Sequence, residues 1–328
     1  MEIVADTLDD VLWALYPALL SSTSKVPSSR GDTLELTGVS IRLQKPRARL
    51  SRTSSRGKPY SCLGELLWYL TRDNSLDFIR YYISRYKNES EDGETVYGGY
   101  GPRLFNMRGV NQIDAVIELL KRKSSSRRAA IQLLNAEDVD EKHKEIPCTT
   151  TMQFMVRDGL LNMVTTMRSN DAFMGLPHDV FCFTMMQEII ARAIECEVGE
   201  YFHYVGSMHL YLSDCEGAKS YLAEGIQSRI EMPPMPAGDP WGPIGRILEV
   251  EGAIRRHEEV DTANWPDGGY WGDLVRLLQI FAASGCEERI EQIKSTMEFD
   301  RFGVYIDPRK GSTVRKPFID RVLKFDFR

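Results

Sequence analysis

Cys148 stands in the stretch E-I-P-C-T-T, directly before a β-rich run. A thiol there can serve as a nucleophile if a nearby cation favours the thiolate, or it can be a small buried hydrophobe. Arg168 is a candidate for that cation. The pair Asp158-Gly159 between two β-rich runs signals a hairpin, which would return the end of its second strand to the start of its first. Spacing alone leaves both readings of Cys148 open. The basic run K-R-K-S-S-S-R-R (121–128) is either a solvated loop or a site for a phosphate monoester, whose oxygens match a guanidinium fork. His209 and Tyr211 alternate, so on a strand they share a face and could hold a hydroxyl, although such a pair also suits a core. Asp179, in R-S-N-D-A-F-M-G-L-P-H-D (168–179), is placed either to cap a helix, a role worth about 0.5–2 kcal/mol, or to hold a ligand. The five histidines make no metal-ligand spacing, and neither a glycine-rich phosphate loop nor a dinucleotide fingerprint is present.

These residues need a scaffold, and 328 residues with 42% hydrophobic composition are ample for a substantial core. A net charge of −6 argues against general nucleic-acid binding, and DNA is not expected as a partner. The six cysteines are scattered without C-x-x-C pairs, which favours free thiols in a reducing compartment. No run of eighteen apolar residues occurs, and the acidic N-terminus M-E-I-V-A-D-T-L-D-D-V-L-W-A-L-Y-P-A-L-L (1–20) reads as an amphipathic helix of a cytoplasmic protein, with no membrane partner expected.

The periodicities alternate between helix and strand. Leu8, Val11, Leu12 and Leu15 recur at helical spacing, and G-E-L-L-W-Y-L through R-Y-Y-I-S-R-Y reads as amphipathic helix with a break near Asn74. The stretch N-Q-I-D-A-V-I-E-L-L-K-R-K predicts a helix before the basic loop, and R-R-A-A-I-Q-L-L-N a buried strand after it. Two apolar ridges predict a largely buried helix over 179–196, with Asp179 at its N-cap. G-E-Y-F-H-Y-V-G-S-M-H-L-Y-L-S-D predicts a strand running into a bend and another helix, and the prolines of 231–243 a loop. The architecture expected is α+β, one mixed sheet with helices against it.

In this order, P-C (147–148), Q-F (153–154), R-S-x-D-x-F-x-G-L-P (168–177) and H-x-Y (209–211) resemble the thymidylate synthase family. Upstream, G-E-L-L-W-Y-L (64–70), V-Y-G-G-Y-G-P-R (96–103) and S-R-R (126–128) match further blocks, so the resemblance covers roughly 28–225. It implies a single thymidylate synthase-like catalytic domain over 1–328 with a divergent region at about 233–328, dimeric through its sheet. It also implies Cys148 as the nucleophile, with Arg168 activating it and touching a nucleotide phosphate. Arg30, in a mobile loop, and Ser169 would bind the same phosphate, and Arg127 and Arg128 the phosphate in the partner subunit's site. His209 and Tyr211 would take the sugar hydroxyl, Glu65 and Tyr97 would manage protons through water, and Asp171 would hold the pterin of 5,10-methylenetetrahydrofolate, the cosubstrate. No metal is implied.

One departure points to a different base. Synthases carry Asn where this chain has Asp179, and that amide pairs with O4 and N3–H of uracil. Cytosine presents a 4-amino donor and an N3 acceptor, so an ionised Asp179 favours cytosine, and a proton on Asp179 or on N3 completes a second hydrogen bond. Family members with Asp here are cytidylate hydroxymethylases. The tryptophan-bearing segment of synthases corresponds to Y-Y-I-S-R-Y-K-N-E-S-E-D-G-E-T (81–95), which has none, although Tyr82 or Tyr86 could substitute. A wetter pocket would let water rather than hydride meet the methylene on C5. Thr149 and Met167 replace a family His and Gln, and F-I-D-R-V-L-K-F-D-F-R (318–328) lacks the family ending that closes over the ligands. The function expected is a CMP or dCMP 5-hydroxymethylase, of the type found in nucleoside-antibiotic pathways. The alternatives are synthase-type methylation of a pyrimidine deoxynucleotide, a nucleotide-binding regulator with weak turnover, and an unrelated hydrolase using Cys148 and His209.

Overall fold

The computed structural model describes residues 1–318 except 141, 264 and 267. The C-terminal stretch on which lid closure turns therefore lies, beyond Phe318, outside the described residues. Seven strands form one mixed sheet: β1 (Glu2–Ala5), β2 (Lys25–Val26), β3 (Thr33–Leu43), β4 (Ala130–Gln132), β5 (Thr149–Arg157), β6 (Leu160–Asp171) and β7 (Glu197–Tyr211). Their order is β1-β3-β7-β6-β5-β4, with β2 on β3. β6 and β7 are parallel, whereas β3 and β5 flank them antiparallel. The expected α+β architecture is present, but the N-terminal stretch read as helix opens with β1 on the edge of the sheet, and the helix begins only at Leu8, after Thr7 caps it.

The helices are α1 (Leu8–Leu20), α2 (Pro59–Leu70), α3 (Leu76–Tyr82), α4 (Tyr100–Phe105), α5 (Gln112–Arg122), α6 (Ala136–Asp140), α7 (Gly175–Ala193), α8 (Cys215–Ala223), α9 (Trp241–Arg255), α10 (Gly268–Ala282), α11 (Glu287–Lys294) and α12 (Gly303–Ile306). α7 is the central one, buried on nearly every face between the sheet and α2. The sequence reading started it at Asp179, four residues too late. Pro177 is the third helical residue, not the last residue before the helix. A first-turn proline sacrifices no hydrogen bond, because those N–H groups have no partner within the helix. The N-cap is Met174, and no side chain caps the helix; Asp171 Oδ1 accepts from the N–H groups of Phe173 and Met174 in the turn that leads into it. Asp179 is the fifth helical residue and does not cap it.

The hairpin between β5 and β6 turns on Asp158 and Gly159, both at positive φ (52° and 77°), as a two-residue type I′ turn requires. β4 is shorter than the buried strand expected there. It lies at the sheet edge, with Ile131 buried between the exposed Ala130 and Gln132. Pro233, Pro234, Pro236 and Pro240 lie in the expected loop, whereas Pro243 falls in the first turn of α9, where it sacrifices no hydrogen bond. The region after it is helical and packs on α2 and α3: Phe281 of α10 stacks on Tyr60 and Tyr82, and Tyr60 donates to the Tyr305 carbonyl.

Candidate active site

Because β6 and β7 are parallel, both deliver their C-terminal ends to the same edge of the sheet, and a cleft opens there. β6 supplies Arg168, Ser169, Asn170 and Asp171, and β7 supplies His209 and Tyr211. Cys148 enters at the start of β5, Glu65 from α2, Asp179 from α7, and Arg30 from the loop before β3. Residues far apart in the chain are thus brought to one cavity.

The hairpin sets Cys148 against Arg168: the backbone N–H of Arg168 donates to the Cys148 carbonyl at 2.9 Å, and its guanidinium Nη2 lies 3.7 Å from Sγ. That guanidinium also donates to the carbonyls of Pro147 and Ile146, which hold it in place. Burial nevertheless pushes the Cys148 thiol up to about 12, with the Glu145 carboxylate adding to the shift and Arg168 opposing it. Arg30 reaches the cleft between two carboxylates, Glu89 at 2.6 Å and Glu145 at 2.7 Å.

Ser169 Oγ and His209 Nδ1 lie 3.3 Å apart, and the rings of His209 and Tyr211 meet edge to face, on one face of β7 as alternation predicts. Burial lowers the His209 pKa against the opposing pull of Asp171, so the imidazole favours its neutral form. Asp179 lies within α7 with Oδ2 accepting from Asn170 Nδ2 at 2.7 Å. Burial, with the nearby Glu65 charge second, holds its carboxyl well above the usual carboxylate range. Glu65 is buried and accepts from two phenols, Tyr86 at 2.8 Å and Tyr69 at 3.1 Å.

Tyr97 does not join Glu65. Its hydroxyl donates to Asp138 at 2.9 Å and its ring stacks on His143, outside the lining of the cleft. Asp138 is held ionised by hydrogen bonds from Arg103 and the Asn135 N–H, and an ionised acceptor holds a phenol more strongly than a neutral one. Arg127 and Arg128 are exposed just before β4 and do not line the cleft of their own chain.

Sequence reading missed several lining residues. Trp68 of α2 walls the cleft, with the ring of Tyr86 edge-on against it at 5.3 Å. Of the two proposed substitutes Tyr86 faces the cleft, whereas Tyr82 is buried in the core and bonds to Glu251. Trp68 looked like one more apolar residue of a helical stripe. Glu145, Tyr100 and Asn170 were missed as well. Tyr100 bonds to both the N–H and the hydroxyl of Thr149, next to the nucleophile candidate.

Two residues that line the cleft each carry a buried polar atom without a protein partner: Oδ2 of Asp171, an acceptor, and Nε1–H of Trp68, a donor. A pterin ring has an amide edge and amino groups able to satisfy both, so these residues fit a folate. Among the described residues no cluster of three or more His, Cys, Asp or Glu side chains could hold a metal ion, and no helix is long and apolar enough to cross a membrane.

A family model described as Thymidylate synthase matches residues 28–235. The chain belongs to the thymidylate synthase family. It is 31% identical over 179 residues to a thymidylate synthase of Francisella philomiragia subsp. philomiragia, a match covering 50% of this chain and 65% of that one. It is 29% identical over 219 residues to a thymidylate synthase of Corynebacterium aurimucosum, covering 63% and 81%. The thymidylate synthase of T4 phage has the same fold, at a TM-score of 0.56 and 22% identity over 66% of this chain and 81% of its own. The family match stops short of α9–α12, the divergent helical region.

Proposed function

We propose that the protein is a cytidylate 5-hydroxymethylase acting on CMP or dCMP, cytoplasmic and homodimeric, with one catalytic domain that includes the divergent helices. The observation that carries the base assignment is the carboxyl of Asp179 in the cleft, where an amide would read uracil. Its raised pKa supplies the proton for a second hydrogen bond to cytosine.

In this reading Arg30, Arg168 and Ser169 take the phosphate, joined by Arg127 and Arg128 of the second subunit. His209 and Tyr211 take a sugar hydroxyl. Cys148 attacks C6 as a thiolate, with Arg168 stabilising the charge once the phosphate has displaced Glu89 and Glu145 from Arg30. Addition at C6 makes C5 nucleophilic. Methylenetetrahydrofolate, held by Asp171 with Trp68 alongside, supplies the one-carbon electrophile. Glu65, with Tyr69 and Tyr86 donating to it, manages the proton lost from C5, the part expected of Tyr97. Loss of that proton expels tetrahydrofolate and leaves an exocyclic methylene on C5; water adds to the methylene, and Cys148 leaves C6. The outer sheet face supports the dimer: Val164 pairs with Phe202 and Thr166 with Tyr204, partly or fully exposed, and Gln153 beside them donates to the Arg127 carbonyl.

A second reading, synthase-type methylation, is favoured by the Trp68–Tyr86 wall, which shields the cleft from water. Mass spectrometry of products from methylenetetrahydrofolate with CMP, dCMP and dUMP in separate reactions decides between them. A hydroxymethyl adduct on a cytidine nucleotide is expected, and a methyl adduct on dUMP overturns the assignment.

A further inference from the structure

Asp179 does not act alone. Behind it runs a buried chain of side chains: Asn170 Nδ2 to Asp179 Oδ2 at 2.7 Å, Asn170 Oδ1 to His203 Nε2 at 2.9 Å, and His203 Nδ1 to Tyr201 OH at 2.7 Å. Asn170 is 3% exposed, and His203 and Tyr201 are fully buried. In the structure Asn170 turns Nδ2 to Asp179 and Oδ1 to His203, which calls for a proton on Nε2 of that ring. Burial alone pushes His203 down to about 3, so the ring is neutral, and with its proton on Nε2 its Nδ1 accepts from Tyr201. In that tautomer, reversing the amide would set two donors against each other at His203. Gly175 makes room for the arrangement: a Cβ there would lie 3.1 Å from Asn170 Nδ2 and 3.5 Å from Asp179 Oδ2.

This matters because a neutral carboxyl is ambiguous. With one donor and one acceptor it fits cytosine, donating to N3 and accepting from the 4-amino group. It also fits uracil, accepting from N3–H and donating to O4, if the proton moves to the other oxygen. A pocket with a neutral acid therefore discriminates only if something dictates which oxygen carries the proton.

We propose that Asn170, locked by His203 and Tyr201, is the positioning residue that sets the base specificity of this cleft. Its N–H keeps Oδ2 of Asp179 an acceptor, matched to a 4-amino group, and leaves the proton on Oδ1 to meet N3. Against this fixed pattern uracil brings two donors together at N3 and two acceptors together at O4, contacts that a hydrogen-bonding site rejects strongly. The inference rests on the cytidylate reading and assigns its discrimination to a residue that acts through Asp179.

The test is the ratio of kcat/KM for cytosine over uracil nucleotides, each with methylenetetrahydrofolate, in wild type, Asn170→Ala and His203→Leu. Asn170→Ala should lower the ratio at least tenfold, chiefly by raising uracil turnover. His203→Leu should act in the same direction, since it frees the amide to turn. Asn170→Ser, whose hydroxyl can donate or accept, replaces the alanine variant if that one fails to fold. A merely structural role would lower both rates together and leave the ratio in place. A wild type specific for cytosine whose ratio stays within twofold in the Asn170 variant overturns this inference alone. A wild type that turns over uracil and not cytosine overturns the cytidylate reading and this inference with it.

Discussion

The ligand-free enzyme should hold its nucleophile in reserve, and thiol–disulfide exchange measures this without any knowledge of the substrate. The Cys148 thiol is pushed up to about 12 by burial and by Glu145. At pH 8.5 an ordinary thiol is half ionised, while one titrating near 12 is ionised to about one part in 3,000. A more basic thiolate is also a better nucleophile, and a Brønsted slope of about 0.4–0.5 returns a factor of roughly 25–55 over that interval. Exchange at Cys148 with a small neutral disulfide should then run about 50-fold slower than at the cysteine of an unstructured peptide in the same tube. Peptide mass spectrometry separates Cys148 from the other five cysteines, of which Cys286 is exposed and Cys62 and Cys182 are buried. Restricted access would also slow the reaction, but by a constant factor that leaves the pH dependence unaltered. The deciding observation is the slope: the rate should climb about tenfold per pH unit up to pH 11, and Glu145→Gln should move the whole profile to lower pH. A plateau near pH 9 in wild type would mean that Arg168 already outweighs burial and Glu145, and would refute the reasoning.

Cys148→Ala should abolish product formation, at least a thousandfold, while nucleotide binding by calorimetry persists; substantial residual product removes Cys148 from the reaction. Asp179→Asn should raise the uracil-to-cytosine ratio of kcat/KM by tenfold or more, because an amide offers a permanent donor, and an unchanged ratio leaves the base edge to other residues. Mixing an Arg127→Ala/Arg128→Ala double variant with Cys148→Ala should restore about a quarter of wild-type activity in exchanged dimers, since random pairing makes half of them heterodimers with one intact site each. No recovery after verified subunit exchange refutes donation across the interface.

Much of the site was legible in the sequence because its motifs occupy regular elements. Asp158-Gly159 specifies a tight turn by backbone conformation alone, so Arg168 returns to Cys148 in any structure that keeps the hairpin. The alternation of His209 and Tyr211 likewise survives into β7. The start of α7 was misplaced because Pro177 is compatible with two readings, the residue before a helix or its first turn. In the folded chain the helix starts at Gly175, which puts Pro177 in its first turn.

What the sequence determined by itself is chemical: the residue types, their order, and an acid in place of an amide at Asp179. What the tertiary structure alone decided is who faces whom. Tyr97 turns to Asp138 because an ionised acceptor is available there, and Trp68 and Tyr86 meet across two helical segments that no periodicity relates. The link from Asp179 to Asn170, His203 and Tyr201 joins α7, β6 and β7 through buried polar groups. Each must find a partner once water is excluded, and only packing determines which partner is within reach.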